Sequence, residues 1–505
     1  MKIFTKEQIR ECDQYTIVND QISSIKLMER AAQAFVSWIS EHCKNHKRFA
    51  VFCGNGNNGG DGFAIARLLH TEGFDVDVFV SSPKSKFSDD AQVNFERLEG
   101  VSGISIKKFS EVDQYNFDHH TLIIDALFGT GLSRILDGEF KDLIAYLNGV
   151  NAVKISVDVP SGLFTDGISD DSLVIFKADY TLSFQFWKKS FLHPEGGKFT
   201  GKVEILDINL NKDYISTTGA TDFVIDDALI KRIFKPRAEF SHKGNYGKVT
   251  IIAGSYGKMG AAVLSTKAAL KTGAGLTFNL APECGYTILQ TSCPEAMFIK
   301  GGNQYITNFE IDENSICGIG PGIGTDTETQ KSFLQFLKEY SKPLVLDADA
   351  LNIISENKKN LKLIPKNTII TPHPKEFERL FGKSENSFQR LELARQKANE
   401  HQIYIVLKDH HTQVITPQGN VYYNITGNAG LAKGGSGDVL TGVLTSLLAQ
   451  GYSEENAAVF GVWLHGKAAD YAAEKYSKES MLPTDLIHEL GNVFEKINRR
   501  VMIRL

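Results

Sequence analysis

The stretch FAVFCGNGNNGGDGFAIARLL, residues 49–69, decides the fold. Residues 49–53 are a short apolar run of the kind a fully buried strand requires, and residues 63–69 carry apolar side chains at helical spacing. Between them, glycines alternate with Asn55, Asn57, Asn58 and Asp61. Glycine lets the backbone turn sharply and approach a ligand, and the N–H groups at the start of a helix suit a phosphate. The turn is not the GxGxxG fingerprint of dinucleotide-binding folds, because amide and carboxylate side chains are built into it. A purely structural turn would also use Asn and Gly.

The same rhythm extends outward. Residues 6–46 have helical periodicity, and apolar runs at 76–80, 122–124, 153–157, 180–184 and 203–208 alternate with helical or loop segments. That pattern predicts a parallel sheet covered by helices on both faces. The polar stretch 209–222 lacks a core segment and reads as a linker, which predicts domains over 1–218 and 219–505. Apolar runs resume at 249–253, 276–280, 316–319, 344–346, 368–370 and 404–407, and periodic helices are expected at 439–450, 454–476 and 484–499. The fold class is therefore α/β in both halves.

Composition narrows the function. A chain of 505 residues with 42% hydrophobic and 23% charged residues has the profile of ordinary globular protein, and a net charge of -5 offers no general attraction for nucleic acid or anionic lipid. The charged N-terminus does not resemble a secretory signal, so a cytoplasmic location is expected. Six scattered cysteines without a CxxC pair argue against a disulfide framework or zinc ribbon. His42, Cys43 and His46 form either a polar helix end or a fragment of a metal site.

Ligands collect at the carboxyl edges of parallel strands, and two more strand ends reach that edge. They are LIIDALFGTGLSR, residues 122–134, and SVDVPSG, residues 156–162, supplying Asp125, Asp158 and Ser161. Asn58, Asp125 and Ser161 form a set of hard oxygen donors with one carboxylate, better suited to a monovalent cation such as potassium than to zinc. Asp158 reads either as an acid/base group or as a cap on the turn before Pro160.

In the second half, NAGLAKGGSGDVLTG, residues 428–442, reads as a glycine loop entering a helix. Gly435, Ser436 and Gly437 can present N–H groups to an oxyanion. Asp438 either complements the helix dipole or acts as the base that takes a hydroxyl proton during phosphoryl transfer. No GKS or GKT follows, so this is not a Walker loop.

At this point a resemblance becomes specific. GNGNNGGDG, DALFGTGL and VDVPSG, in that order, resemble the NAD(P)H-hydrate epimerase family. IIAGSYGKMG, GIGPGIG, LDADALN, TPHPKEFERL and the 428–442 loop are similar to ADP- or ATP-dependent NAD(P)H-hydrate dehydratases. The resemblance covers nearly the whole chain and implies a Rossmann-like N-terminal domain and a ribokinase-like C-terminal domain.

It implies potassium at Asn58, Asp125 and Ser161. It implies a hydrated nicotinamide nucleotide held by Asn57, Asn58, Gly59, Gly60, Asp61, Gly129, Thr130, Gly131, Leu132, Ser133 and Arg134. Asp158 is then the acid/base residue and Lys188 its companion. In the C-terminal half, Ala262, Gly322, His373 and Asp438 would contact the same substrate. Lys408, Asp409, His410, His411 and Thr412, with Gly435, Ser436 and Gly437, would hold ADP or ATP and its magnesium.

Two departures stand out: Lys375 replaces a glycine in HPKE, and Asp409, His410 and His411 replace smaller residues. Read alone, His373 is a satisfied histidine at a strand end, and Asp347 and Asp349 are caps for a helix beginning at Ala350. The implied activity is repair of NADHX and NADPHX by epimerisation of the R and S forms followed by nucleotide-dependent dehydration of the S form, in a homo-oligomer. The alternative is a vitamin-precursor kinase carrying a non-catalytic nucleotide-binding module.

Overall fold

A computed structural model describes residues 1–82, 86–118, 120–132, 134–169 and 172–502. The chain divides into two compact units, one spanning Lys2–Ala220 and the other running from Thr221 onward together with Met1.

The first unit is built on seven parallel strands. In spatial order they are Ser105–Lys108, Asp75–Val80, Arg48–Cys53, Thr121–Ala126, Val153–Val157, Tyr180–Phe184 and Lys202–Leu206. Side chains of the central strand alternate between faces, as a two-residue period demands. Phe49, Val51 and Cys53 join the cluster that contains Phe35 and Ile39 of helix Ser24–His42, while Ala50 and Phe52 join the cluster around Leu143 and Ile144 of helix Gly138–Gly149. Chain order reverses between Arg48–Cys53 and Thr121–Ala126. A crevice opens at such a reversal, beyond the carboxyl ends of the two strands.

The second unit repeats the principle with ten strands of its own. Their order is Asp222–Ile225, Val421–Asn424, Gln413–Ile415, Tyr404–Leu407, Ile369–Ile370, Val345–Leu346, Ile316–Ile319, Lys248–Ile252, Leu276–Ala281 and Met297–Lys300. All pair in parallel except Gln413–Ile415, which is antiparallel to both neighbours. The reversal falls between Lys248–Ile252 and Ile316–Ile319.

Helix Ser436–Ala449 is buried from Val439 to Leu448 and packs with helices Glu454–Tyr476 and Pro483–Met502 in the main core. It begins three residues earlier than the apolar pattern suggested, because its first turn consists of the small residues of the glycine loop. Helix Asn57–Thr71 likewise starts six residues before the predicted 63.

The stretch 209–222 is not a free tether. Leu210 is buried with Phe4, Phe186 and Ile208, and Asn211 caps helix Lys212–Thr217 by accepting from the N–H groups of Asp213 and Tyr214.

Candidate active sites

In the first unit, a cleft of about 940 Å³ opens at the strand-order reversal. Gly59 explains why the motif needs glycine: a Cβ there would stand 1.9 Å from the carbonyl oxygen of Gly54. None of the glycines from 54 to 62 has a positive φ. Their role is close approach, which lets the helix start directly above the strand end. Gly56 occupies the N-cap without a side-chain bond to the helix, so the first N–H groups remain available to an anion.

Asn57, Asn58, Asp61, Gly129, Thr130, Gly131, Leu132 and Arg134 line the cleft with Asp158 and Lys188. Gly59 and Gly60 do not; they lie under the helix start, Gly60 against Met28 and Ala91. Ser133 lies outside the described residues.

Asp158 follows strand Val153–Val157 with φ +65, an uncommon conformation for a residue with a Cβ. Its N–H donates to the Leu182 carbonyl at 2.9 Å, which pins it against the neighbouring strand. Its Oδ1 accepts from Lys188 Nζ at 2.5 Å, the Phe184 N–H at 2.9 Å and Ser183 Oγ at 3.3 Å. Lys188 is only 1% exposed and also donates to Ser183 Oγ at 2.8 Å. The pair is a desolvated acid–base couple, not a surface ion pair, and it is not a simple turn cap.

Asp125 is fully buried. Its Oδ1 accepts from Ser161 Oγ at 2.5 Å and its Oδ2 from the Ser161 N–H at 2.8 Å and Ser156 Oγ at 3.1 Å. Desolvation raises its carboxyl to about 6, although the Ser161 hydrogen bonds work the other way. Asn58 lies close by. A Cβ on Gly129 would stand 3.0 Å from Asn58 Oδ1, and Ser161 Oγ accepts from the Phe128 N–H at 2.9 Å. Asn58 Nδ2 and Asn55 Oδ1 are buried without hydrogen-bond partners.

Among the cleft residues that escaped the sequence reading are Arg10 and Asp13 on helix Lys6–Asn19. The available signal was that Asp13 shares the helical stripe of Ile9 and Ile17, where a carboxylate is out of place. Desolvation, then the charge of Asp158, raises Asp13 to about 7, with Lys188 opposing. Asp61 is raised well above the ordinary range by desolvation and then by Asp158, Asp13 and Asp90.

In the second unit, Gly435 has φ +99 at the N-cap of helix Ser436–Ala449, a left-handed turn that favours glycine. Residues 436–438 form the first turn. A Cβ on Gly437 would stand 3.4 Å from Asp347 Oδ2 and 3.5 Å from Lys408 Nζ, so this helix end faces an amine and a carboxylate. Lys408 Nζ donates to Asp347 Oδ1 at 2.9 Å, and Thr441 Oγ1 donates to Asp347 Oδ2 at 3.0 Å. Burial disfavours the Lys408 charge, but Asp347, Glu376 and Asp438 outweigh it and hold the amine above its ordinary value. Asp438 accepts no hydrogen bond from the described residues. Desolvation, then Asp347, raises it to about 6.

Several expected roles change. Asp347 sits at the N-cap of helix Ala348–Ser355 without capping it, because its carboxylate is committed to Lys408 and Thr441. Asp349 instead accepts from the Gly324 N–H at 2.9 Å, fixing the loop that contains Gly322. His373 is the cap residue. Its Nδ1 accepts from the N–H groups of Lys375 and Glu376 at 3.1 and 3.4 Å, and Glu376 returns a bond to the His373 N–H at 2.9 Å. Desolvation lowers the His373 pKa. Lys375 contributes its N–H to that cap and leaves its side chain exposed, so the lost glycine costs the turn nothing visible.

Ala262 is fully buried in the core beside Met259 and Val249. Asp409 pairs with Arg390 at 2.8 Å, and His410 and His411 meet through their Nδ1 atoms at 3.2 Å. The Thr412 carbonyl accepts from the Asn424 N–H at 2.8 Å. Within 408–412, then, Lys408 is the side chain shown turned toward the glycine loop. At the other candidate metal ligands, His42 stacks on Trp38 with ring centroids 4.5 Å apart and Cys43 is the buried C-cap of helix Ser24–His42.

Fold and geometry define an α/β protein whose two units each set a lysine–aspartate pair beside the start of a helix. Two family models match in tandem, the YjeF-related protein N-terminus over residues 24–190 and NAD(P)H-hydrate dehydratase over residues 249–492. The bifunctional NAD(P)H-hydrate repair enzyme of Moorella thermoacetica is 32% identical over 520 residues, covering 99% of this chain and 98% of the relative. That of Escherichia coli K12 is 33% identical over 470 residues, covering 93% and 89%. The crystal structure of an ADP/ATP-dependent NAD(P)H-hydrate dehydratase from Bacillus subtilis, co-crystallized with ATP/Mg2+, is 29% identical. It covers 55% of this chain and 98% of that one, with a TM-score of 0.49. The chain belongs to the family of bifunctional NAD(P)H-hydrate repair enzymes.

Proposed function

We propose that the chain repairs hydrated NADH and NADPH in two steps, the first unit interconverting the R and S epimers and the second dehydrating the S form with ADP or ATP. The observation that carries this reading is that each unit sets a lysine–aspartate pair beside the start of a helix that follows a glycine-rich turn, Lys188–Asp158 in the first and Lys408–Asp347 in the second. The kinase alternative leaves the first of them without a role.

In the first unit, Asp158 does the acid/base work at the hydroxyl of the epimeric carbon, and Lys188 holds its carboxylate in place. The cleft takes the nucleotide against residues 57–61 and 129–134. Asn58, Asp125 and Ser161 suit a potassium ion. They offer one carboxylate with neutral oxygens from three chain segments, and the nearby Asn55 Oδ1 is a buried acceptor without a partner among the described residues.

In the second unit, Asp438 takes the proton of the substrate hydroxyl as that oxygen accepts a phosphoryl group. With its carboxyl near 6, Asp438 is still ionised at neutral pH and a better base than an ordinary aspartate. The N–H groups of residues 435–437 and Lys408 stabilise the charge on the phosphates. Magnesium arriving with ADP or ATP would supply further neutralisation, beside Asp438. Loss of phosphate then regenerates the reduced cofactor. Lys408 to Thr412 and Gly435 to Gly437 form the nucleotide side of this site, and Gly322 and His373 the substrate side.

No helix among the described residues is long and apolar enough to cross a membrane. A cytoplasmic homo-oligomer, measurable by sedimentation, completes the reading. The test is recovery of reduced-nicotinamide absorbance from mixed epimers of hydrated NADH, with magnesium, potassium and either ADP or ATP. Full recovery with one donor is expected; no recovery with either, together with a stable phosphorylated alcohol from another substrate, would favour the kinase alternative.

A further inference from the structure

The N-terminal cleft holds a carboxyl group that the account above leaves unused. Asp13 stands one helical turn from Ile9 and one from Ile17 on helix Lys6–Asn19, and all three line the cleft with Asp158 and Lys188. The inward stripe of an amphipathic helix ordinarily carries apolar residues. Asp13 is half-buried, yet it accepts no hydrogen bond and forms no ion pair with the described residues. Asp158, by contrast, has Lys188, Ser183 and the Phe184 N–H around one oxygen. A carboxylate on the cleft wall with no partner of its own among those residues is free to meet a ligand there.

We propose that Asp13 is a further catalytic residue of the epimerase unit, donating a proton to the departing hydroxyl while Asp158 acts as base for the returning water. The inference rests on the epimerase reading. The epimeric carbon bears both the hydroxyl and the ring nitrogen. Asp13 transfers its proton to the hydroxyl oxygen, the C–O bond breaks, and water leaves as the nitrogen lone pair forms a C=N bond bearing positive charge. Water then adds to the opposite face, a C–O bond forms, and the C=N electron pair returns to nitrogen. The surplus proton passes to Asp158, and exchange with water in the cleft restores Asp13. The reverse reaction follows the same path.

The division of labour requires a protonated donor beside an ionised base. Burial and the neighbouring charge of Asp158 keep the Asp13 proton on up to about 7, and Asp158 accepts from Lys188 Nζ. The charged groups around Asp13 are Arg10 on its own helix, Asp61 on helix Asn57–Thr71, and Asp158 and Lys188 at their strand ends. Asp90 and Arg134 line the same cleft. Because the donor works only when protonated, kcat/KM for epimerisation falls as pH rises through about 7.

The experiment follows interconversion of separated R and S epimers of hydrated NADH by full-length protein without nucleotide, across pH, with circular dichroism melting as the fold control. Asp13→Asn is expected to lose roughly 10²-fold or more in rate and to lose the alkaline limb, and Asp13→Glu to keep part of the rate and the limb. Wild-type rate and an intact limb near 7 in a folded Asp13→Asn protein, with Asp158→Asn inactive, would overturn the role of Asp13 alone. Undiminished epimerisation by Asp158→Asn would overturn the epimerase reading on which it rests.

Discussion

The two centres each join a lysine to an aspartate and solve opposite problems. In the first, Asp158 is already paired with a buried lysine, and Asp125 accepts hydrogen bonds from Ser156 and Ser161. In the second, the lysine is committed to Asp347 and Asp438 stands without a hydrogen bond. The difference matches the chemistry each is given. Exchanging a hydroxyl between the two faces of one carbon needs a couple that is held in place before substrate arrives. Phosphoryl transfer needs a base left uncommitted beside donors aimed at a polyanion.

The sharpest way to break this contrast is at Asp438. Asp438→Asn is expected to reduce dehydration of the S epimer about 10²- to 10⁴-fold, the range general-base removal spans, with epimerisation unchanged. Unchanged dehydration would mean that the bare carboxylate is a dipole partner and not a base. In the wild type, dehydration should decline as pH falls through about 6, because Asp438 is then protonated. This acid limb is opposite in sign to the alkaline limb of epimerisation, and the two profiles, measured on one preparation, separate the centres.

Lys188→Met leaves Asp158 buried without its partner. A loss of about 3–5 kcal/mol in the stability of the first unit is expected by denaturant unfolding, together with loss of epimerisation. Little change in stability would mean that solvent reaches the pair.

Replacing potassium by choline should slow epimerisation and leave dehydration of the S epimer unaltered. Equal slowing of both would place the cation outside the first unit.

The smallest effect belongs to His373→Ala. As a cap it should cost about 1 kcal/mol in the second unit. A rise in KM for the hydrated nucleotide without that loss would restore the contact role.

What the sequence made readable was local. The 49–69 unit could be read because strand, turn and helix are contiguous, and the strand ends carrying Asp125 and Asp158 because apolar runs precede them. Strand Ser105–Lys108 was missed because it is a partly exposed edge that reads as SIKK, without an apolar run. The hairpin Gln413–Ile415 with Val421–Asn424 was missed because its strands are only three and four residues long, too short to show a pattern.

The Lys408–Asp347–Thr441 triangle joins residues up to 94 positions apart, so no spacing rule reveals it. Asp347 looked like a cap because it precedes a helix. Only the sheet order shows that a lysine from another strand end claims it first. Asp13 was legible in principle, as a carboxylate on an inward stripe, but its meaning depends on Asp158 lining the same cleft.

The central claim is that two independent centres on one chain act in series, and it is tested most directly by complementation. Mixed epimers are given to the Asp158→Asn protein with magnesium, potassium and nucleotide, and Asp438→Asn protein is added once absorbance recovery stalls. The account predicts a stall at the fraction present as S epimer, followed by resumed recovery on addition. Recovery past that fraction at the wild-type rate by Asp158→Asn alone would contradict it.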